Sequence, residues 1–287
     1  MHISNVLHCH NILGEGPLWN PDENALYWVD INAKKVQRYY PDGGKSESFD
    51  MPLMVSVLGM RQEGGFVCGT ENGFYFWEPT NNHWEFITNP EKGKLGARFN
   101  DGKVDRMGRF WAGTMTPQGS TSSLYRLDPD LTIHHMLSDI TISNGIGWSG
   151  DNRTMYYVDS NRYVIYAFDF DLQSGEISRQ RIFKRFNEGQ GVPDGLTVDS
   201  EDYVWCAIYD GWKIVRLNPQ GEIVLEVPMP VSRPSSVAFG GKNLDRLFVT
   251  SISEGLSPTE LKEQPMAGDL FVIEADVSGL PEPKFAG

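Results

Sequence analysis

The fold is decided by a stretch in the middle of the chain, Ser143-Asn-Gly-Ile-Gly-Trp-Ser-Gly-Asp-Asn-Arg-Thr-Met-Tyr-Tyr-Val-Asp159. It opens on small and polar residues, passes through a polar turn and ends in an apolar-aromatic run typical of a buried strand. The same outline recurs along the chain, and its six copies open at Glu15, Ser56, Asn100, Asn144, Asp194 and Ser235. These openings lie 41, 44, 44, 50 and 41 residues apart.

A third apolar run follows in each repeat, as in Val164-Ile-Tyr-Ala-Phe168. Repeats of about 40 to 50 residues with four antiparallel strands are the signature of a β-propeller. The sequence therefore predicts an all-β, six-bladed propeller of four-stranded blades, forming one domain over residues 1–287. The N-terminal run Ile3–Leu7 is predicted to pair with Leu270–Glu274 and close the ring. A capping box at Ser257-Pro-Thr-Glu260 predicts one short helix.

Composition agrees with short strands and tight turns, and it narrows the classes of partner. The 287 residues include 30 Gly and 17 Pro, with 15 Phe, 11 Tyr and 8 Trp. A net charge of −13 would repel a polyphosphate, so nucleic acid is a poor partner. Three widely spaced cysteines fit neither a disulfide framework nor a Cys-x-x-Cys site. With no apolar stretch long enough to span a membrane, we expect a soluble, cytoplasmic protein. We also expect it to be a monomer or weak homodimer.

The openings of the six repeats should converge at one mouth of the central channel. They comprise two carboxylates, two amides and two hydroxyls, which would form a ring of oxygen donors. Glu15, Asn144 and Asp194 supply a hard-oxygen set suited to Ca²⁺, Mg²⁺ or Mn²⁺ and less typical of Zn²⁺. Turn formation is the alternative for Asn144-Gly145 or Asp194-Gly195 taken alone. Glu15 at the same phase of the repeat favours the metal.

A second group of polar residues lies in Arg98-Phe-Asn-Asp-Gly-Lys103. Arg98 and Asn100 place a cation and an amide beside the same mouth, where they could orient a polyhydroxylated or anionic ligand. A surface salt bridge of Arg98 is an equally good interpretation of the residues alone.

Four segments together resemble the regucalcin/gluconolactonase family of sugar lactonases: Leu13–Trp19, Arg98–Asp105, Ser143–Ser149 and Pro193–Asp199. The resemblance covers nearly the whole chain. It implies a six-bladed propeller with one divalent metal in the channel, held by Glu15, Asn144 and Asp194, and a substrate held by Arg98 and Asn100. Where regucalcin has a substrate-contacting glutamate after a Gly-Thr-Met segment, Gln118 would take its place here. The tail over residues 255–268 resembles bacterial members that open pentono- or hexonolactones.

The function that this resemblance implies is hydrolysis of an aldonolactone, such as glucono-, galactono-, xylono- or arabinonolactone, to the aldonic acid. Ca²⁺, Mn²⁺ or Mg²⁺ would act as a Lewis acid, with Zn²⁺ or Fe²⁺ as alternatives. Asp194 is the predicted general base, because a carboxylate that touches both metal and water can accept a proton. Two other hypotheses stay open: a non-catalytic calcium-binding or regulatory protein, and an organophosphate hydrolase on the same fold.

Overall fold

The computed structural model describes residues 1–117 and 122–287, and in these the chain forms six four-stranded antiparallel sheets arranged as the blades of a propeller. The first strand, β1, spans Ile3–Leu7. Blade one contains β2 (Gly14–Asn20), β3 (Ala25–Asp30), β4 (Lys35–Tyr40) and β5 (Lys45–Asp50). Blade two contains β6 (Val55–Met60), β7 (Phe66–Thr70), β8 (Gly73–Glu78) and β9 (His83–Thr88). Blade three contains β10 (Arg98–Val104), β11 (Phe110–Met115), β12 (Ser122–Leu127) and β13 (Ile133–Ile140).

The other three blades repeat this order. Blade four contains β14 (Ser143–Trp148), β15 (Thr154–Asp159), β16 (Val164–Phe170) and β17 (Ile177–Arg185). Blade five contains β18 (Val192–Val198), β19 (Val204–Tyr209), β20 (Lys213–Leu217) and β21 (Ile223–Pro228). Blade six contains β22 (Pro234–Gly240), β23 (Arg246–Ser251), β24 (Leu270–Glu274) and, as its outermost strand, β1. The six blades predicted from the repeat are confirmed.

Within a blade, the second strand is more buried than the outermost strand. The second strand is a run of buried residues, as in β3, because both of its faces pack against neighbouring blades. The outermost strand alternates between exposed and half-buried residues, as in β5. Large aromatic side chains fill the wedges between blades, and Trp28, Trp77, Trp111 and Trp205 are fully buried. The core is therefore a ring around the channel.

The ring is closed by the N-terminal strand, as the sequence predicts. β1 pairs antiparallel with β24, with Ile3 opposite Ile273 and Asn5 opposite Phe271. Just before β24, the fully buried Asp269 accepts hydrogen bonds from Asn5 Nδ2 at 2.7 Å and from the backbone N–H of His10 at 3.2 Å. These contacts hold the beginning of the chain to its last blade.

The predicted helix is also present, as α1 (Pro258–Glu263), in the insert between β23 and β24. Ser257 Oγ accepts from the backbone N–H of Glu260 at 3.3 Å, and Glu260 Oε2 accepts from that of Ser257 at 2.7 Å. A short 3-10 turn covers Ser160–Arg162. Over residues 1–117 and 122–287, no helix is long and apolar enough to cross a membrane.

The innermost strand of every blade carries an irregularity at the same place. The register against the second strand shifts between Glu15 and Leu18, Val55 and Val57, Phe99 and Gly102, Ser143 and Ile146, Pro193 and Leu196, and Pro234 and Ser236. Such bulges re-aim side chains and are common beside functional sites. Here each bulge includes or adjoins the residue that opens the repeat.

The far end of the channel is covered by the C-terminal segment. Phe285 is fully buried, and its backbone N–H donates to Met60 O at 2.7 Å. Glu282 pairs with Lys103 of β10 at 2.8 Å. Between this segment and the bulges, the channel narrows to a cavity of about 30 Å³ lined by residues of all six inner strands. A ligand of sugar size therefore has to enter from the bulge end, which we call the mouth.

Candidate metal centre at the channel mouth

The three predicted metal ligands lie on three different inner strands. Glu15, Asn144 and Asp194 belong to β2, β14 and β18, and only 8%, 6% and 5% of their surfaces are exposed. Neither Asn144-Gly145 nor Asp194-Gly195 is a turn, so the turn interpretation is wrong. The charge of Asp194 acts on Glu15, and the amide of Asn144 interacts with Asp194. The fold thus brings together residues that are as much as 179 positions apart in the sequence.

Glycine allows this convergence. A Cβ at Gly145 would lie 2.6 Å from both Asp194 O and Leu196 N, closer than such contacts occur. A Cβ at Gly195 would meet Ser236 Oγ on the next inner strand at 2.0 Å. The Asn-Gly and Asp-Gly pairs therefore serve close packing of neighbouring inner strands around the axis.

The electrostatics of the site is dominated by buried acids. Burial, then the charges of Asp194 and Asp101, raise the pKa of Glu15 well above its usual range. Burial, then the charge of Asp101, raises the pKa of Asp194, while hydrogen bonds from Asn144 and the Gly195 N–H partly oppose the shift. Burial also raises the pKa of Asp101 to about 6, opposed by the Gly102 N–H and by Lys103. Three carboxyl groups thus share a site in which ionisation of each is unfavourable.

Asp101 was not among the site residues predicted from the sequence. Its side chain accepts from the Gly102 N–H at 2.7 Å, within the bulge of β10. The sequence shows a carboxylate directly after Asn100. It does not show which way that side chain points, because this depends on a bulge that extends over two residues.

Two acceptor atoms of the site lack a partner. Asn144 Oδ1 and Asp194 Oδ1 are buried and accept no hydrogen bond in the described part of the chain. Asn144 Nδ2 is occupied, since it donates to Ser160 Oγ at 3.1 Å, and Ser160 Oγ in turn donates to Pro193 O at 2.8 Å. Unpaired buried oxygens next to carboxyl groups with raised pKa values are what a bound cation would satisfy. The donor set fits a hard divalent ion.

One of the three members of this set is an amide. Within residues 1–117 and 122–287, no group of three or more His, Cys, Asp or Glu side chains is arranged to hold a metal. Assignment of Glu15, Asn144 and Asp194 as metal ligands accordingly stays a prediction.

The predicted substrate pair lies next to these acids. Arg98 Nη1 donates to Asn100 Oδ1 at 2.7 Å and to Phe99 O at 2.9 Å, and Asn100 Nδ2 donates to Ser143 O at 2.8 Å. Burial lowers the pKa of Arg98 to about 10, opposed by the charges of Glu15 and Glu254. Arg98 makes no direct ion pair with any described carboxylate, so the salt-bridge interpretation is wrong.

Two other expectations for the mouth have different outcomes. Ser235 does not contribute a free oxygen, because its hydroxyl donates to Gly14 O at 2.6 Å and is shared with Thr250 at 2.8 Å. The predicted ring of six donors is therefore wrong at this position. Gln118, the predicted third substrate contact, lies outside the described residues.

Beside Arg98, the mouth opens into a cavity of about 620 Å³. Its wall combines amide, thioether and charged side chains: Asn32, Asn72, Asn89, Met54, Met115, Glu71, Glu91, Lys94 and Arg98. Its size is within the range of small-molecule sites, and its amides can hydrogen-bond to hydroxyl groups.

Residues 13–253 match the family described as SMP-30/Gluconolactonase/LRE-like region. The chain belongs to this family. It is 37% identical to regucalcin of Gallus gallus over 284 residues, covering 96% of this chain and 95% of the relative. It is 35% identical over 280 residues to a 6-deoxy-6-sulfogluconolactonase of Pseudomonas putida, covering 96% of each chain. The solved structure of a luciferin-regenerating enzyme superposes with a TM-score of 0.93 at 30% identity, covering 100% of this chain and 99% of the other. The predicted family is thereby confirmed.

Proposed function

We propose that this protein is a divalent-metal-dependent sugar lactonase that hydrolyses an aldonolactone to the aldonic acid. Membership of the family supports lactone hydrolysis. The observation that carries the metal dependence is the pair of unpartnered buried oxygens, Asn144 Oδ1 and Asp194 Oδ1, among carboxyl groups with raised pKa values. We further propose that the substrate is a small molecule and that the protein acts as a monomer or weak homodimer.

Glu15, Asn144 and Asp194 would hold the metal, with Ca²⁺, Mn²⁺ or Mg²⁺ the best match to two carboxylates and an amide oxygen. When bound, the metal would supply Lewis-acid polarisation of the lactone carbonyl. Its charge would also favour the ionised form of the carboxyl groups that burial disfavours.

The chain's own residues would orient the substrate and move the proton. Asp194 would accept a proton from the water that attacks the carbonyl carbon, and this proton is available to the ring oxygen as the C–O bond breaks. Arg98 and Asn100 would hold the ring oxygen and hydroxyls, since their mutual hydrogen bond fixes both side chains at the mouth. No nucleophilic side chain is needed.

The test is a panel of sugar lactones, glucono-, galactono-, xylono- and arabinonolactone, assayed with metal-free and metal-loaded protein alongside an organophosphate ester. We expect acid release from at least one lactone that chelation abolishes and Ca²⁺, Mn²⁺ or Mg²⁺ restores. Preferential cleavage of the organophosphate would favour the phosphoesterase. Metal binding without turnover of any substrate would favour the non-catalytic calcium-binding protein.

A further inference from the structure

Glu254 is an exposed carboxylate that the fold fixes at the mouth. It follows β23, at the start of the insert that carries α1. Its backbone N–H donates to Ile12 O at 3.0 Å, and its carbonyl accepts from Arg233. Its side chain is held as well, because Oε1 accepts from Asn32 Nδ2 at 2.6 Å. Backbone and side chain are thus both anchored, although the residue faces solvent.

This carboxylate lies near the proposed substrate site. Asn32, which holds it, lines the same cavity as Arg98. The charge of Glu254 acts on Arg98, yet the two side chains form no direct ion pair. The hydrogen bonds that Arg98 donates to residues 1–117 and 122–287 all use Nη1. Within these residues, Nε and Nη2 of its guanidinium therefore make no hydrogen bond.

We propose that Glu254 is a specificity-determining residue, whose carboxylate accepts hydrogen bonds from the hydroxyls of a neutral sugar lactone and repels anionic ligands. This inference rests on the proposed function. A carboxylate accepts hydrogen bonds only, so it suits hydroxyl donors, and a charged acceptor makes the stronger bond.

The charge balance of the mouth gives this proposal a second consequence. The charges of two carboxylates, Glu15 and Glu254, act on the guanidinium of Arg98. The lactone is neutral, whereas the aldonate formed from it is an anion. Glu254 should therefore strengthen binding of the substrate and weaken binding of the product, which speeds release.

The test compares Glu254→Gln with wild type and with the matched control Glu263→Gln, which removes a charge from the exposed end of α1 on the same insert. The amide keeps the oxygen that accepts from Asn32, so the mouth should keep its shape. For a neutral aldonolactone we expect KM to rise roughly three- to tenfold with kcat within about twofold. We expect the inhibition constant of the aldonate to fall by a similar factor. A 6-phosphorylated lactone should become a better substrate, and Glu254→Asp should partly restore the wild-type pattern.

The decisive result is a higher KM for the lactone together with a lower inhibition constant for the aldonate. A purely structural role of Glu254 would instead weaken binding of both ligands when the residue is changed. Shifts in the same direction, or values for Glu254→Gln that equal those of Glu263→Gln, would overturn the role of Glu254. If wild type hydrolyses no sugar lactone, the proposed function fails. In that case calorimetric titration of aldonate into metal-loaded wild type and Glu254→Gln still tests the repulsion, and equal affinities would overturn it.

Discussion

The acidic residues of this site have pKa values that are set mainly by burial. Burial raises the pKa values of the carboxyl groups of both Asp194 and Asp101. The cost of ionising them is large because water is replaced by protein and by neighbouring carboxyl groups. We propose that this arrangement binds a cation and supplies a general base.

We expect Asp194→Asn to be the most damaging conservative change. The amide keeps the shape and one oxygen ligand, but it cannot accept a proton from water, and loss of a general base commonly costs about 10² to 10⁴ in rate. The measurement is kcat on the best lactone at saturating metal, with Asp276→Asn as the control for an aspartate outside the site. A near wild-type kcat for Asp194→Asn would show that the base lies elsewhere.

At the scale of elements, the site is made by bulges in neighbouring inner strands. The bulges of β14 and β18 place Asn144 and Asp194 side by side, and Gly145 lets the two strands approach. The site therefore depends on a residue that has no side chain and would hold no ligand.

Gly145→Ala should separate β14 from β18, because its Cβ would lie 2.6 Å from the backbone of both Asp194 and Leu196. We expect metal affinity to fall about 10- to 100-fold, as when the support of a ligand is disturbed. The matched control is Gly43→Ala, where an added Cβ meets nothing within 4 Å. Isothermal titration with metal measures both variants. Unchanged affinity in Gly145→Ala would show that strand spacing does not set the site.

The phase of the repeat was predictable from the sequence, because apolar runs and turns recur locally. That phase was enough to predict six blades, closure by β1 and the convergence of Glu15, Asn144 and Asp194. The directions of Asp101 and Ser235 were not predictable, since they depend on bulges and on which neighbouring strand offers a partner. Glu254 was missed for a related reason, because its position depends on contacts with Ile12, Asn32 and Arg233, which lie in distant segments of the chain.

For the whole molecule, the buried acids couple stability to pH. The pKa values of Glu15, Asp101 and Asp194 are raised in the folded chain, that of Asp101 to about 6, whereas the unfolded values are near 4. Between about pH 4 and the raised values, the folded chain holds protons that the unfolded chain has lost. The metal-free protein should therefore lose stability as pH rises through this window.

We expect the melting temperature of chelated protein to fall between pH 5 and pH 8, with β-sheet circular dichroism retained at room temperature because the core is separate from the mouth. Added metal should raise the melting temperature again at pH 8, since it binds the folded state. Glu15→Gln should flatten the fall by removing one titrating group, while Glu263→Gln should not. A metal-free melting temperature that rises from pH 5 to pH 8 would contradict the raised pKa values.

The most direct measurement is a crystal structure of the protein grown with Mn²⁺, with the ion located by its anomalous scattering. We expect one strong peak at the mouth, within about 2.0 to 2.6 Å of oxygen atoms of Glu15, Asn144 and Asp194. Asn144 Oδ1 and Asp194 Oδ1, now without partners, should be among the ligands. A peak bound elsewhere, or a fully loaded protein in which these three side chains do not share one ion, would contradict the metal centre and the lactonase mechanism built on it.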